Sequence, residues 1–106
     1  MKNNLFTLSL LALTFLTCET AENKNSQVAN QGQLLFEKNC TICHGKDGKL
    51  QASGALDLSI SKLSPEETLL AIINGSPQKG MPAYGPRLKQ EELNQLRDYV
   101  QGLIVK

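Results

Sequence analysis

Hydrophobic residues recur at helical spacing in three stretches of the chain, and segments rich in glycine, proline and polar residues separate them. The first helix is predicted from about Asn30 to Asn39, because Gly32, Phe36 and Cys40 lie four residues apart and share one face. A glycine weakens the interior of a helix, so we expect another helix to approach closely at Gly32.

The second helix has a clear start and a clear end. Ser64, Pro65 and Glu67 form a capping box with proline at the first helical position. Apolar residues at helical spacing follow, and Gly75 is predicted to end the helix.

The last helix is predicted over residues 90–104 and carries a continuous apolar stripe. The stripe consists of Leu93, Leu96, Val100 and Leu103, with Tyr99 beside it. No serine or threonine caps its start, so we expect its first turn to fray, with Glu91 and Glu92 compensating in part through the helix dipole. No strand pattern and no internal repeat is visible, which makes the fold class all-α.

The remaining segments are predicted to be irregular. Residues 45–61 are rich in glycine, serine, aspartate and lysine, and residues 76–88 contain three prolines and two glycines. Residues 18–29 are polar with almost nothing to bury, which is typical of a flexible tether.

Residues 1–17 have the pattern of a secretory signal peptide of the lipoprotein type. The apolar run of residues 5–16 is too short to span a membrane as a helix. Cys18 follows at the position where a lipoprotein carries its acylated cysteine, although Phe15 and Thr17 match such a signal imperfectly. The alternative is a chance cysteine in a cleaved signal. An unpaired exported thiol otherwise needs a reason, and this favours a lipid anchor at Cys18.

Length and charge narrow the class of protein. The chain of 106 residues allows one domain, and a mature portion of about 75–80 residues is small for an unaided hydrophobic core. Such a domain usually needs an additional constraint, such as a covalently attached apolar group. A formal net charge of +1 without a basic run argues against nucleic acid as a partner.

One motif dominates the chemistry of the chain. Cys40-Thr41-Ile42-Cys43-His44 has the form C-x-x-C-H, the attachment site of a c-type haem. Each thiol can add to one vinyl group of the porphyrin, and the histidine offers a ring nitrogen to the iron. The alternatives are a thioredoxin-like redox pair, half of a zinc site, or chance. No βαβ pattern surrounds the motif, which disfavours the redox pair. The chain has one other cysteine and no other histidine, which disfavours a zinc site, so one haem c per chain is favoured.

Met81 is the candidate for the second axial ligand of the haem iron. Because Met1 is lost with the signal, Met81 is the only thioether of the mature chain. It stands between Gly80 and Pro82 in a non-helical segment, whereas a core methionine is commoner on the apolar stripe of a helix. A histidine and methionine pair raises the reduction potential and suits an electron carrier.

Residues from about 31 to 103 resemble a class I c-type cytochrome of the small bacterial type. The matching residues are Gly32, Leu35, Phe36, Cys40 to Gly45, Gly80-Met81-Pro82, Leu96, Tyr99, Val100 and Leu103. The resemblance implies an all-α domain over residues 30–106, with three main helices around one covalently attached haem. It implies that the first and last helices cross at Gly32, Phe36 and Tyr99, that His44 and Met81 ligate the iron, and that one haem edge is exposed to partners.

The chain departs from this family at the orienting partner of the histidine. Many relatives have a proline after the haem motif whose carbonyl accepts the second ring N–H of the histidine. Here no proline occurs between His44 and Ser64, and Gly54-Ala55-Leu56 stands at the comparable place. The sequence predicts that another carbonyl orients His44, without naming it.

Six further residues are candidates for contacts around the haem. Tyr84 and Arg87 are candidates for contacts with the haem propionates, and the alternative is a solvated loop. Four lysines are candidates for steering an acidic partner to the exposed haem edge, although scattered surface lysines are common. They are Lys46, Lys49, Lys79 and Lys89.

Three functions compete. The first is a one-electron carrier between redox proteins on the periplasmic side of a bacterial membrane, either anchored through Cys18 or soluble in the periplasm. Alternatively, it is a haem-bearing subunit of one oxidase or dehydrogenase. A haem enzyme or gas-binding sensor is disfavoured, because the only histidine is already used and no acid-base histidine remains. The first function is preferred, and it predicts that the chain is not an enzyme.

Overall fold

The computed structural model describes residues 21–105, and within this range it contains four α-helices and no strand. The helices are α1 (Ala21–Asn39), α2 (Thr41–His44), α3 (Pro65–Asn74) and α4 (Gln90–Leu103). Short 3₁₀ turns lie between them at Ala52–Gly54, Leu58–Ile60 and Pro77–Lys79. The all-α prediction is confirmed, while all three turns lie in the two segments predicted to be irregular, two of them in residues 45–61 and one in residues 76–88. The proposed signal peptide and Cys18 lie outside the described residues.

The first helix is longer than the sequence led us to expect. It begins at Ala21 instead of about Asn30, so the prediction of a flexible tether over residues 18–29 is wrong for residues 21–29. Residues 18–20 lie outside the described range. Extending an existing helix costs less than nucleating a new one, so a helix anchored by its packed half continues into polar residues such as Ser26 and Gln27, which are exposed.

The core lies between α1, α3 and α4. Phe36 and Leu96 are fully buried at its centre. The other buried apolar residues are Leu35, Ile72, Tyr84, Leu93 and Val100. The predicted stripe of α4 is therefore confirmed at three positions, and Leu103 and Tyr99 at its margin are partly buried.

Helices α1 and α4 cross in direct backbone contact at Gly32. A Cβ placed on Gly32 would lie against the carbonyl oxygen of Gln95 and 3.0 Å from the Cβ of Tyr99. One turn further along α1, the rings of Phe36 and Tyr99 are tilted by 51° with their centroids 5.3 Å apart. The expected close approach and the crossing at these residues are confirmed.

Both long C-terminal helices begin with a carboxylate that accepts a backbone N–H. At α3, the N–H of Ser64 donates to Glu67 at 2.8 Å and the N–H of Glu67 donates to the Ser64 hydroxyl at 3.2 Å, which confirms the capping box. At α4, the N–H of Lys89 donates to Glu92 at 2.8 Å. The start of α4 is thus held by a hydrogen bond in addition to the predicted dipole effect.

No helix within residues 21–105 combines the length and the hydropathy needed to cross a membrane.

The helix crossing generates a prediction for Gly32→Ala. The added methyl group meets the α4 backbone, so we expect the free energy of unfolding to fall by about 1–2 kcal/mol, the overlap outweighing the better helix propensity of alanine. Gly102→Ala on α4 is the control, because nothing lies within 4 Å of its added Cβ, and there we expect a gain of about 0.5 kcal/mol. Denaturant unfolding of the holoprotein measures both, and equal stability of the two variants would contradict the close approach.

Candidate haem site

The C-x-x-C-H motif occupies a single turn of backbone directly after α1. The helix ends at Asn39, yet the N–H of Cys40 still donates to the carbonyl of Phe36 at 2.8 Å. The carbonyl of Cys40 then accepts the N–H of His44 at 2.9 Å. The structure thereby brings Cys40, Cys43 and His44 together at the end of a helix that the core holds in place.

The two motif cysteines are free and partly buried. Burial raises the pKa of the Cys40 thiol to about 11, and the charge of the neighbouring Cys43 adds to the shift. A thioredoxin-like pair depends on a thiol whose pKa is lowered, so this environment disfavours that alternative. Within residues 21–105, no cluster of three histidine, cysteine or acidic residues is placed to hold a metal ion.

A backbone carbonyl orients the ring of His44. The Nδ1 atom of His44 lies 3.0 Å from the carbonyl oxygen of Leu56. Because a carbonyl can only accept, this hydrogen bond requires the proton on Nδ1, and in the neutral tautomer Nε2 is then the nitrogen whose lone pair can bind a metal. The sequence did not name this carbonyl, but Leu56 belongs to the three residues that stand where relatives carry proline. The turn at Ala52–Gly54 delivers Leu56 to this position without a proline.

Met81 lies in a second segment, which folds back on the end of α3. The N–H of Ser76 donates to the carbonyl of Met81 at 2.9 Å, and the N–H of Met81 donates to the carbonyl of Ser76 at 3.1 Å. This antiparallel bridge fixes the backbone of Met81, and its side chain is partly buried. Gly75 makes the fold-back possible, because a Cβ there would overlap the backbone of Pro82.

Tyr84 connects the segment of Met81 with the haem motif. Its side chain is 6% exposed, so the solvated-loop alternative is wrong for this residue. Its hydroxyl donates to the carbonyl of Asn39 at 3.1 Å, one residue before Cys40. Burial raises the pKa of Tyr84, so the hydroxyl remains protonated and able to donate. The sequence pointed to Tyr84 only by its place after Met81, and nothing in the sequence identified Asn39 as its partner.

Arg87 and the four candidate lysines lie on the surface. The guanidinium carbon of Arg87 lies 5.8 Å from the centroid of the Tyr84 ring, which is within the range of a cation–π contact. The lysines at positions 46, 49, 79 and 89 are exposed. Propionate contacts of Tyr84 and Arg87 and partner steering by the lysines stay predictions.

Large apolar side chains are exposed from the motif to the middle of α3. Six of the eight exposed large apolar residues of the described range lie between positions 42 and 70. They are Ile42, Leu50, Leu56, Ile60, Leu63 and Leu70. The residues present fit a haem: two thiols on one turn, an imidazole oriented through its Nδ1 atom, and apolar surface of the kind that a porphyrin covers.

Comparison with known proteins gives the family. Residues 27–100 match the family model described as cytochrome c oxidase, cbb3-type, subunit III. Cytochrome c6 of a Nostoc species is 30% identical over 103 residues, which are 92% of this chain and 91% of that protein. The cbb3-type cytochrome c oxidase subunit FixP of Rhizobium etli is 36% identical over 81 residues, which are 72% of this chain. FixP of Azorhizobium caulinodans is 30% identical over 87 residues. The chain spans 28% of the length of either FixP protein.

The helical fold, the attachment motif and these matches together define a haem-binding domain of the electron-transfer class. The chain belongs to the c-type cytochrome family, in its class I monohaem branch, whose members carry covalently bound haem c with its iron.

The fold-back at Gly75 generates the prediction for this site. Gly75 has φ 61° and ψ −164°, and an added Cβ would meet Pro82, so Gly75→Ala should lower the free energy of unfolding by about 3 kcal/mol or more. Gly80→Ala is the control in the same segment, because its φ is also positive but nothing lies within 4 Å of the added atom, and about 1 kcal/mol is expected. Thermal denaturation of the holoproteins measures the difference. Similar losses in both variants would show that the contact with Pro82 contributes nothing.

Proposed function

We propose that this chain is a one-electron carrier, with its haem attached through Cys40 and Cys43 and the iron ligated by His44 and Met81. The observation that carries the proposal is the hydrogen bond between Nδ1 of His44 and the carbonyl of Leu56. It selects the tautomer and the ring orientation of a proximal ligand. The haem supplies an iron that alternates between the ferric and ferrous states.

The residues of the chain would hold the iron in one environment in both oxidation states. The hydrogen bond to the carbonyl of Leu56 would keep the imidazole of His44 in one orientation when the charge of the iron changes. The bridge between Ser76 and Met81 fixes the backbone from which the thioether would reach the iron. A thioether is a soft ligand that favours ferrous iron, and such a pair suits an electron acceptor of raised potential.

A haem-bearing subunit of a specific oxidase is the second candidate. It is favoured by the family model, which is described as an oxidase subunit, and by the FixP relatives. The carrier is supported by the 30% identity with cytochrome c6, which extends over 91% of that protein. In either case the haem passes electrons between partner redox proteins, and the chain itself is not an enzyme. The exposed lysines at positions 46, 49, 79 and 89 provide positive charge that would attract an acidic partner.

We further propose that residues 1–17 export the protein to the periplasmic side of a bacterial membrane and that a lipid on Cys18 retains it there. The support is the signal-like pattern and the position of Cys18 directly after the apolar run. Acylation with two or more chains gives stable anchoring, where one chain alone is marginal. Confinement near the membrane raises the effective concentration of the carrier against membrane-bound redox partners.

Substitution of Met81 tests the ligand set. Mass spectrometry of the wild-type holoprotein should show one covalent haem. Met81→Ala should keep the haem but open the sixth position, so that ferrous protein binds carbon monoxide readily and the potential falls by on the order of 100 mV, within the range that axial ligands set.

Met81→His is the matched control for that experiment. It refills the position with a nitrogen ligand, so carbon monoxide binding should slow again while the potential stays below that of the wild type. An unchanged potential and an unchanged ligand spectrum in Met81→Ala would exclude Met81 as the ligand.

Substitution of Cys18 tests the anchor. Cys18→Ser should move the holoprotein from the membrane to the soluble periplasmic fraction without changing its absorbance spectrum, because the haem site is untouched. Thr17→Gly, which brings the signal closer to the usual lipoprotein pattern, should stay in the membrane fraction. The anchor is excluded if the wild type is already soluble after gentle lysis with an N-terminus beyond Cys18.

A further inference from the structure

The carbonyl of Asn39 is left without a helical partner where α1 ends. In a continued helix it would accept the N–H of Cys43, but that N–H donates to the carbonyl of Cys40 at 3.3 Å instead. The hydroxyl of Tyr84 supplies the missing donor at 3.1 Å. The side-chain amide of Asn39 donates in turn to the carbonyl of Leu35 at 2.8 Å, which keeps the last turn of α1 in place.

Tyr84 is itself held by its backbone on both sides. Its N–H donates to the carbonyl of Ile72 on α3 at 3.0 Å. Its carbonyl accepts the N–H groups of Arg87 and Leu88, each at 3.0 Å. The residue therefore joins the end of α3, the segment that carries Met81, and the turn that carries the haem motif.

The segment of Met81 is consequently fixed at two points. On the N-terminal side, the bridge to Ser76 holds the backbone of Met81 itself. On the C-terminal side, Tyr84 follows after two residues, the first of which is Pro82 with its restricted backbone. The bond from Tyr84 to Asn39 is the point at which this segment is tied to the residue next to Cys40.

We propose that Tyr84 is a positioning residue, whose hydroxyl holds the Met81 segment against the haem-attachment turn and so keeps the methionine on the iron. The inference rests on the proposed ligand set and goes beyond it, because it assigns the retention of Met81 to a contact remote from the iron. Loss of the hydroxyl removes the tie between the segment and the haem-attachment turn and leaves the backbone bonds of Tyr84 to α3 in place, so the fold persists while the methionine leaves the iron more often.

Carbon monoxide measures this directly, because it binds ferrous iron only after the sixth ligand has left. In stopped-flow experiments on the ferrous holoprotein, Tyr84→Phe should bind carbon monoxide about fivefold faster than the wild type, the factor that corresponds to one hydrogen bond of ordinary strength. The charge-transfer band of methionine-ligated ferric haem should disappear at a lower temperature than in the wild type. The temperature at which the helices unfold, followed by circular dichroism, should fall by less than the temperature at which this band disappears.

Tyr99→Phe is the matched control. It removes the same atom from a tyrosine whose ring packs on Phe36 at the helix crossing and whose hydroxyl has no hydrogen-bond partner among the residues whose side chains the structure describes. The rate at which this variant binds carbon monoxide should equal that of the wild type. A second control places Tyr84→Phe in the Met81→Ala background, where no methionine has to leave, and there the substitution should have no effect on the rate.

The outcomes separate the inference from the proposed function. Acceleration by Tyr84→Phe that depends on Met81 supports the positioning role. An unchanged rate, or equal acceleration in the Met81→Ala background, overturns it and leaves the ligand set intact. A wild-type protein that binds carbon monoxide as fast as Met81→Ala overturns the ligand set and the positioning role together.

Discussion

The packing of α1 on α4 is the constraint on which the rest of the structure depends. The backbones meet at Gly32 because no side chain separates them, and the ring of Phe36 fills the space one turn further along. This contact fixes the direction in which α1 points and hence where it ends. The haem motif begins one residue after that end, so the two thiols and the imidazole take their position from a contact two to three turns away in the same helix.

Around that fixed turn, the site is built mainly from backbone carbonyls. The ring of His44 is oriented by the carbonyl of Leu56, and the segment that contains Met81 is tied down through the carbonyls of Ser76 and Ile72. Carbonyl partners make little demand on side-chain identity, which is why Leu56 can serve where relatives present a proline. The orientation of the His44 ring is retained although the residue that provides the carbonyl differs.

The sequence was sufficient for features that depend on local chemistry or on periodicity. The capping box at Ser64, the end of α3 at Gly75 and the buried stripe at Leu93, Leu96 and Val100 all follow from residue type and spacing. The close approach at Gly32 was also predicted, since a glycine weakens a helix interior unless a neighbouring backbone needs the space that a side chain would fill.

The features that the sequence did not reveal are long-range contacts and the extent of α1. The bond from Tyr84 to Asn39 joins residues 45 positions apart, and no periodicity connects them. The carbonyl that orients His44 could not be named, because every residue has one. The start of α1 was misplaced because a polar composition indicates little burial but does not prevent a packed helix from extending beyond its contacts.

The length of α1 changes how an anchored domain meets its partners. Between Ala21 and Gln31 the helix rises by about 15 Å, at about 1.5 Å per residue. A chain without structure would let the domain tumble through all orientations above the bilayer, whereas a helix acts as a stiff spacer with a defined stand-off distance. With the proposed lipid on Cys18, this part of α1 would add at most that rise to the distance between the bilayer and the packed domain. An anchored domain would then meet a membrane-bound partner by diffusion in two dimensions, at a distance from the bilayer that the helix helps to set.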